Sequence, residues 1–150
     1  MKSIFKIGNF EGKEYSKVFI IAEAGVNHNQ QLDLALKLVD IAKDAGADAV
    51  KFQTFGAEDV VTEKGEMASY QKKNTGEEKS QREMLKDLEL PNDFYGPIIK
   101  RCSEKGILFM STPHGGKKSV DFLESLKVEV YKIGSGDLIN YILLDIVAST

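Results

Sequence analysis

The sequence predicts an α/β fold in which βαβ units build a parallel sheet. Two observations carry that prediction: short runs rich in β-branched and aromatic residues alternate with longer stretches of helical period, and the intervening helices are long enough for parallel crossovers. A third observation concerns function. Every strand-like run ends in, or next to, a polar side chain that a purely structural turn would not require.

Taken in order, SIFKIG and EYSKVFI flank NFEGK, which suggests a short β-hairpin with Gly12 in its turn. VFIIA, residues 18 to 22, then reads as a buried strand. In the next stretch Asp33, Lys37, Asp40 and Asp44 recur at helical spacing and form a solvent stripe. Leu34, Leu38, Ile41 and Ala45 form an apolar stripe, widened by Ala35, Val39 and Ala42. Asn29 is placed to cap the start of this helix and Gly46 its end. ADAVKFQT (47 to 54) is a second strand, and ILFMSTP (107 to 113) a third. The helix between them ends in IIKRCSEKG, and Gly96-Pro97 sets its start near Tyr95 or kinks it. KSVDFLESL reads as a third helix, VEVYKIGS as a fourth strand, and LINYILLDIVAS as the beginning of a fourth helix.

The link from Phe55 to Leu90 is long for a compact domain and leaves the C-terminal end of the second strand. SQREMLKDL within it predicts a short helix, with Ser80 as N-cap and Glu83 completing a capping box. KKNTGEEKSQRE reads as a solvated charged face, although its place above the strand ends favours a functional role.

Composition limits the function. A chain of 150 residues is about one domain with room for a core. Its net charge of -3 gives no support to nucleic-acid or membrane binding. The single Cys102 excludes an internal disulfide, fits a reducing cytoplasm, and on its helix serves packing. MKSIFKIGNFEG lacks the apolar core of a signal peptide, and no apolar stretch approaches the ~20 residues of a membrane span. A cytoplasmic, soluble protein is expected.

Side chains alternate along a strand, so Val50 and Phe52 share one face while Lys51 and Gln53 share the other. The apolar pair must meet the helices, which turns Lys51 and Gln53 inward. By the same rule Lys132 points inward between Tyr131 and Ile133, Thr112 shares a face with Met110, and Glu23 closes the row of Phe19 and Ile21. The C-terminal ends of parallel strands are where α/β sheets bind ligands. Two inward lysines need counter-charge, and Glu23 alone cannot neutralise both. An anionic ligand would complete the balance, with Thr112, Ser135 and the amides of GSGD (134 to 137) donating to phosphate or carboxylate oxygens. The structural alternative is a Lys51–Glu23–Lys132 ion network.

IIAEAGVNHN, GADAVKFQTF, FMSTPHG and YKIGSGDLIN, in this order and spacing, resemble the sialic acid synthase family of N-acetylneuraminate, legionaminate and pseudaminate synthases. The resemblance covers about Ile4 to Thr150. It implies a (β/α)8 TIM-type barrel that condenses phosphoenolpyruvate with an N-acetylated amino sugar such as N-acetylmannosamine. The product is a nonulosonic acid, and phosphate leaves by C–O cleavage. A divalent manganese or magnesium ion, held by residues not in this chain, activates the sugar's aldehyde. Carried over, Lys51, Thr112, Lys132 and Ser135 match positions that hold phosphoenolpyruvate, and Gln53 lines the pocket. Lys51 and Glu23 are the catalytic pair, Glu23 lying near the reacting carbons; Asn74 of the long link matches a sugar-contacting asparagine.

Some positions depart from the pattern. Gln30 stands where the family commonly has Gly, and His114-Gly115 where many members have Phe-Asp or Phe-Ser. His114 reads as a solvent-facing loop residue; His28 either orders its turn or takes part in catalysis. A barrel needs roughly 250 residues, and only four βα units are legible. The resemblance therefore implies the N-terminal half of the barrel, preceded by the hairpin. The second half and the C-terminal antifreeze-like domain are absent, and this chain alone should be inactive. The full-length relative would be a homodimer. Two alternatives are a 3-deoxy-heptulosonate phosphate synthase-type aldolase and a non-catalytic half-barrel binding or scaffold module.

Overall fold

The computed structural model describes residues 5–13, 17–62 and 80–150. A hairpin of β1 (Phe5–Ile7) and β2 (Phe10–Gly12) comes first, followed by β3 (Ile21–Gly25), α1 (Leu32–Asp44), β4 (Ala49–Thr54) and α2 (Ala57–Val60). Beyond them lie α3 (Gln81–Lys86), α4 (Asn92–Lys105), β5 (Leu108–Pro113), α5 (Gly116–Ser125), a 3-10 turn at Ser135–Asp137 and α6 (Tyr141–Ala148). β3, β4 and β5 form one parallel sheet in that order, with helices between consecutive strands. The α/β alternation is the predicted one.

The two faces of β4 divide the molecule. Val50 and Phe52, both fully buried, join Phe109 of β5 and Ala35, Val39, Tyr95, Ile98, Cys102 and Leu123 of the helices in one apolar core. Phe52 stacks on Phe109 at 5.9 Å, and Tyr95 meets Phe122 edge-on at 4.9 Å. Burying each such side chain contributes about 1.5–3 kcal/mol. This face also carries polar groups that satisfy one another: Tyr95 Oη donates to Thr54 Oγ1 (2.8 Å), which lies 2.7 Å from Ser111 Oγ. Burial pushes the Tyr95 hydroxyl up to about 12, against the opposing pull of Thr54, so it stays a donor.

Charge braces the helix layer. Arg101 of α4 grips Asp40 of α1 through Nε (2.9 Å) and Nη2 (2.7 Å), with Lys105 Nζ at 3.3 Å. The Arg101 hydrogen bond foremost holds the Asp40 carboxyl below its ordinary range. Just past the C-terminal end of α1, Asp48 accepts from the Ile20 amide and from Lys17, both at 2.9 Å, and so sets where β3 begins.

Several boundaries differ from expectation. The hairpin turns at Gly8–Asn9, where Gly8 takes a φ of +53°, and Gly12 lies instead in β2. There it faces the Phe5 ring, which leaves no room for a side chain: a Cβ at Gly12 would lie 2.2 Å from it. The strand expected at 18–22 is displaced to Ile21–Gly25, and Val18 and Ile20 are 74% and 50% exposed. Asn29 does not cap α1. It sits in the preceding turn at φ +45°, and Gln31 occupies the N-cap without a side-chain bond. The buried seam of α1 is Ala35, Val39 and Ala42; Ile41 and Ala45 face outward because the helix is rotated toward its small residues. α4 begins at Asn92, after Pro91, and runs through Pro97. The fourth strand expected over 128–135 reduces to a single parallel bridge between Ser111 and Tyr131, with Lys132 N donating to Ser111 O at 3.0 Å. The last helix starts at Tyr141, capped by Asn140, after the 3-10 turn.

The capping box of α3 is present as predicted: Ser80 Oγ accepts from Glu83 N while Glu83 Oε2 accepts from Ser80 N. Gln30 Nε2 donates to Lys86 O at the C-terminal end of α3, and Glu89 Oε1 accepts from Ala57 N, which tethers the long link beside the strand ends.

Because Tyr95 supplies both ring area and one hydrogen bond, its two contributions separate by mutation. Tyr95→Phe should cost about 1 kcal/mol and Tyr95→Ala about 3–5 kcal/mol in urea unfolding; equal costs would assign the whole effect to the hydroxyl.

Candidate anion-binding site at the strand ends

The site begins with a break in the β3–β4 ladder. Glu23 pairs in register with Lys51, but Gly25 pairs with Phe52, so Ala24 is bulged out. Gly25 takes a φ of +55°, and a Cβ there would lie 3.1 Å from Glu23 Oε1. The left-handed backbone is what favours a residue with no side chain here. Freed by the bulge, Glu23 Oε2 lies 2.6 Å from Lys51 Nζ. The pair is asymmetric: the Lys51 side chain is 5% exposed and that of Glu23 58%. The ammonium has lost its water while its partner keeps much of its own.

The register carries the site across the sheet. Gln53 pairs with Thr112 on the face shared by Lys51. Thr112 is 1% exposed, and among the described residues its Oγ1 has no hydrogen-bond partner. A buried hydroxyl left unbonded costs on the order of 1–3 kcal/mol. The single bridge from Ser111 to Tyr131 sets Lys132 level with Thr112. The expected Lys51–Glu23–Lys132 network is half formed: among the described residues no carboxylate lies within ion-pair distance of Lys132. Ser135 is exposed at the start of the 3-10 turn, which itself occupies GSGD; no longer helix begins there.

Glu23, Lys51, Gln53, Thr112 and Lys132 thus lie at the C-terminal ends of the strands, as the alternation predicts, with Ser135 in the turn that follows. Asn74 lies outside the described residues. Among those described, no group of three or more His, Cys, Asp or Glu is placed to hold a metal ion.

Both histidines resolve into definite roles. His28 is fully buried and packs against Phe52 (centroids 6.2 Å apart), on the helix side of the sheet and away from Lys51. Its Nδ1 accepts from Gln30 N at 3.1 Å, so the neutral ring carries its proton on Nε2, which has no partner among the described residues. Asn29 and Gln30 both adopt positive φ, at 45° and 54°, and this bond holds the second of them. His28 therefore orders the turn. Burial lowers its pKa. His114 was expected in solvent, but its Nδ1 lies 2.9 Å from Asp137 Oδ2 and only 27% of its side chain is exposed. Sequence reasoning missed this pair and the role of Gly25. The signal for the pair was that His114 follows one strand end and Asp137 the end of its neighbour.

The profile of the NeuB family matches residues 38–150. The chain is 52% identical over 122 residues to the N,N'-diacetyllegionaminic acid synthase of Legionella pneumophila, covering 81% of this chain and 34% of that protein. It is 45% identical over 124 residues to the synthase of the same name from Campylobacter jejuni, covering 83% and 37%. Among solved structures it is similar to the N-acetylneuraminic acid synthetase of Leptospira borgpetersenii, crystallised with citrate. There the TM-score is 0.77 at 33% identity, over 97% of this chain and 46% of that one. The chain thus spans only 34–37% of the two curated relatives. No helix among the described residues is long and apolar enough to cross a membrane.

The His28 environment makes stability depend on pH. Its folded pKa lies below the ordinary 6.5, so the unfolded chain takes up a proton that the folded one does not. Stability is full above that value and falls as pH drops below it, by up to about 1.4 kcal/mol per pH unit. His28→Asn, which keeps an acceptor for the Gln30 amide, should flatten this slope in urea titrations between about pH 5 and 7. An identical slope in the variant would remove His28 as its source.

Proposed function

The chain belongs to the NeuB family, and from that premise we propose that its strand-end site binds phosphoenolpyruvate in a synthase that condenses it with an N-acetylated amino sugar to give a nonulosonic acid. The observation that carries the reading is the unbonded, buried Thr112 hydroxyl on the same face as the buried Lys51 ammonium. An anion with several oxygens satisfies both. Lys51 and Lys132 against Glu23 leave one positive charge over, which suits a ligand carrying phosphate and carboxylate. The Leptospira synthetase was crystallised in complex with citrate, a tricarboxylate anion.

The proposed chemistry follows from the ligand. Phosphoenolpyruvate is an enol ester whose C3 is nucleophilic. When C3 bonds to the sugar's aldehyde carbon, positive charge develops at C2, and a carboxylate nearby stabilises it. Glu23 has that position in the proposal, since its exposed carboxylate reaches over Lys51. Water then adds at C2, and one of its protons goes to the alkoxide formed from the aldehyde oxygen; the C2–O bond breaks as the 2-keto group forms, and phosphate departs with its bridging oxygen and the second proton. Lys51 and Lys132 stabilise the anion throughout, and Ser135 donates from the 3-10 turn. A divalent manganese or magnesium ion would polarise the aldehyde. The described residues do not fit such a site, so its ligands are proposed outside them and no step is derived through it. The barrel closure, the homodimer and the sugar-side contacts, Asn74 included, are proposed on the family resemblance.

Calorimetric titration with phosphoenolpyruvate tests the site. Lys51→Ala and Lys132→Ala should each weaken binding about tenfold to a hundredfold, as loss of a charged hydrogen bond predicts, with unchanged circular dichroism. Thr112→Val should cost less. Unchanged binding in both lysine variants would sink the proposal. In the protein as its cell makes it, phosphate release should require an N-acetylated amino sugar; release with erythrose 4-phosphate instead would point to the heptulosonate type of aldolase.

A further inference from the structure

We propose that His114 and Asp137 form a clamp that fixes the Gly134–Asp137 turn over the end of the sheet, making His114 a positioning residue for Ser135. The inference rests on the function proposed above only for what the turn binds.

The need for a clamp comes from the missing fourth strand. Past the Lys132 N to Ser111 O bond, no ladder among the described residues holds the chain to β5. The backbone hydrogen bonds that follow are local: Asp137 N to Gly134 O, Leu138 N to Ser135 O and Asn140 N to Asp137 O. They shape the turn but do not locate it. Among the described residues, the hydrogen bond that ties the turn itself to the sheet end is His114 Nδ1 to Asp137 Oδ2, at 2.9 Å.

Its anchor is rigid. His114 directly follows β5, and its own amide donates to Thr54 O of β4 at 2.9 Å. Asp137 accepts, so the imidazole carries its proton on Nδ1. Contact reinforces the bond: a Cβ on Gly134 would lie 2.7 Å from His114 Cε1 and 3.2 Å from Asp137 Oδ2. The turn therefore rests on the ring, and only glycine allows the approach. The bond also engages the Asp137 carboxylate, whose side chain is 17% exposed, two residues from the hydroxyl meant for an anion. Left unengaged, that charge would oppose the ligand.

The test combines hydrogen exchange with steady-state kinetics on the protein as its cell makes it. His114→Ala and Asp137→Ala should each speed amide exchange at 135–137 while leaving β4 and β5 unchanged. Each should raise KM for phosphoenolpyruvate about tenfold, as loss of one charged hydrogen bond predicts, and leave KM for the sugar within about twofold. The double variant should be no worse than either single one. His114→Gln, which keeps a donor, should recover most of the loss and serves if the alanine variants fold poorly. Unchanged exchange, or faster exchange with an unchanged KM for phosphoenolpyruvate, overturns the clamp. If the unmodified protein does not consume phosphoenolpyruvate, the proposed function fails, and the exchange contrast alone then decides for or against the clamp.

Discussion

A lysine ammonium in the middle of a parallel sheet is the constraint from which the rest of the site follows. Lys51 lies on β4, between β3 and β5, and its side chain is almost wholly out of water. Such a charge is tolerated only with a partner at hydrogen-bond distance. Glu23 supplies one, but a strand in strict register cannot bring its last carboxylate over the neighbouring strand and also turn away. The bulge at Ala24 and the positive φ of Gly25 achieve both. The turn that follows, with two left-handed residues held by a buried histidine, continues the same local distortion into α1.

The polar groups on the two faces of the sheet make a useful contrast. On the helix face, Tyr95, Thr54 and Ser111 form a closed set in which each oxygen has a partner. On the inner face, among the described residues, Thr112 has none and Lys51 has Glu23 as its ion-pair partner. The same kind of residue is structural on one side and available on the other. Adjacent positions in one strand, Ser111 and Thr112, fall into opposite classes because the pleat sends them to opposite faces.

That pleat is also why so much was legible beforehand. Alternation in VKFQT requires no knowledge of tertiary structure to separate Val50 and Phe52 from Lys51 and Gln53, and the capping box at Ser80 and Glu83 is equally local. The misreadings share a different cause. Gly12 looked like a turn residue, yet what fixes it is the Phe5 ring opposite. Asn29 has the composition of a cap, yet it lies in a left-handed turn that the buried His28 ring holds through the Gln30 amide. VEVYKIGS has strand composition, but strand composition describes fitness for a ladder, and only Tyr131 finds a bridging partner. The His114–Asp137 pair joins residues 23 apart in sequence, beyond any local pattern.

Empty space also lies away from the strand ends. A cleft of about 560 Å³ lies under the hairpin at the opposite end of the strands, lined by Phe10, Phe19, Asp48, Cys102 and Val128 among others. Two of its polar groups are accounted for: Asp48 holds the Ile20 amide and Lys17, and burial pushes the Cys102 thiol up to about 12, so it stays protonated and inert. At the other end, among the described residues, lie an ammonium paired with one carboxylate, a hydroxyl with no partner and a turn bonded to one imidazole. Unsatisfied chemistry, rather than space, is what distinguishes a place built for a ligand.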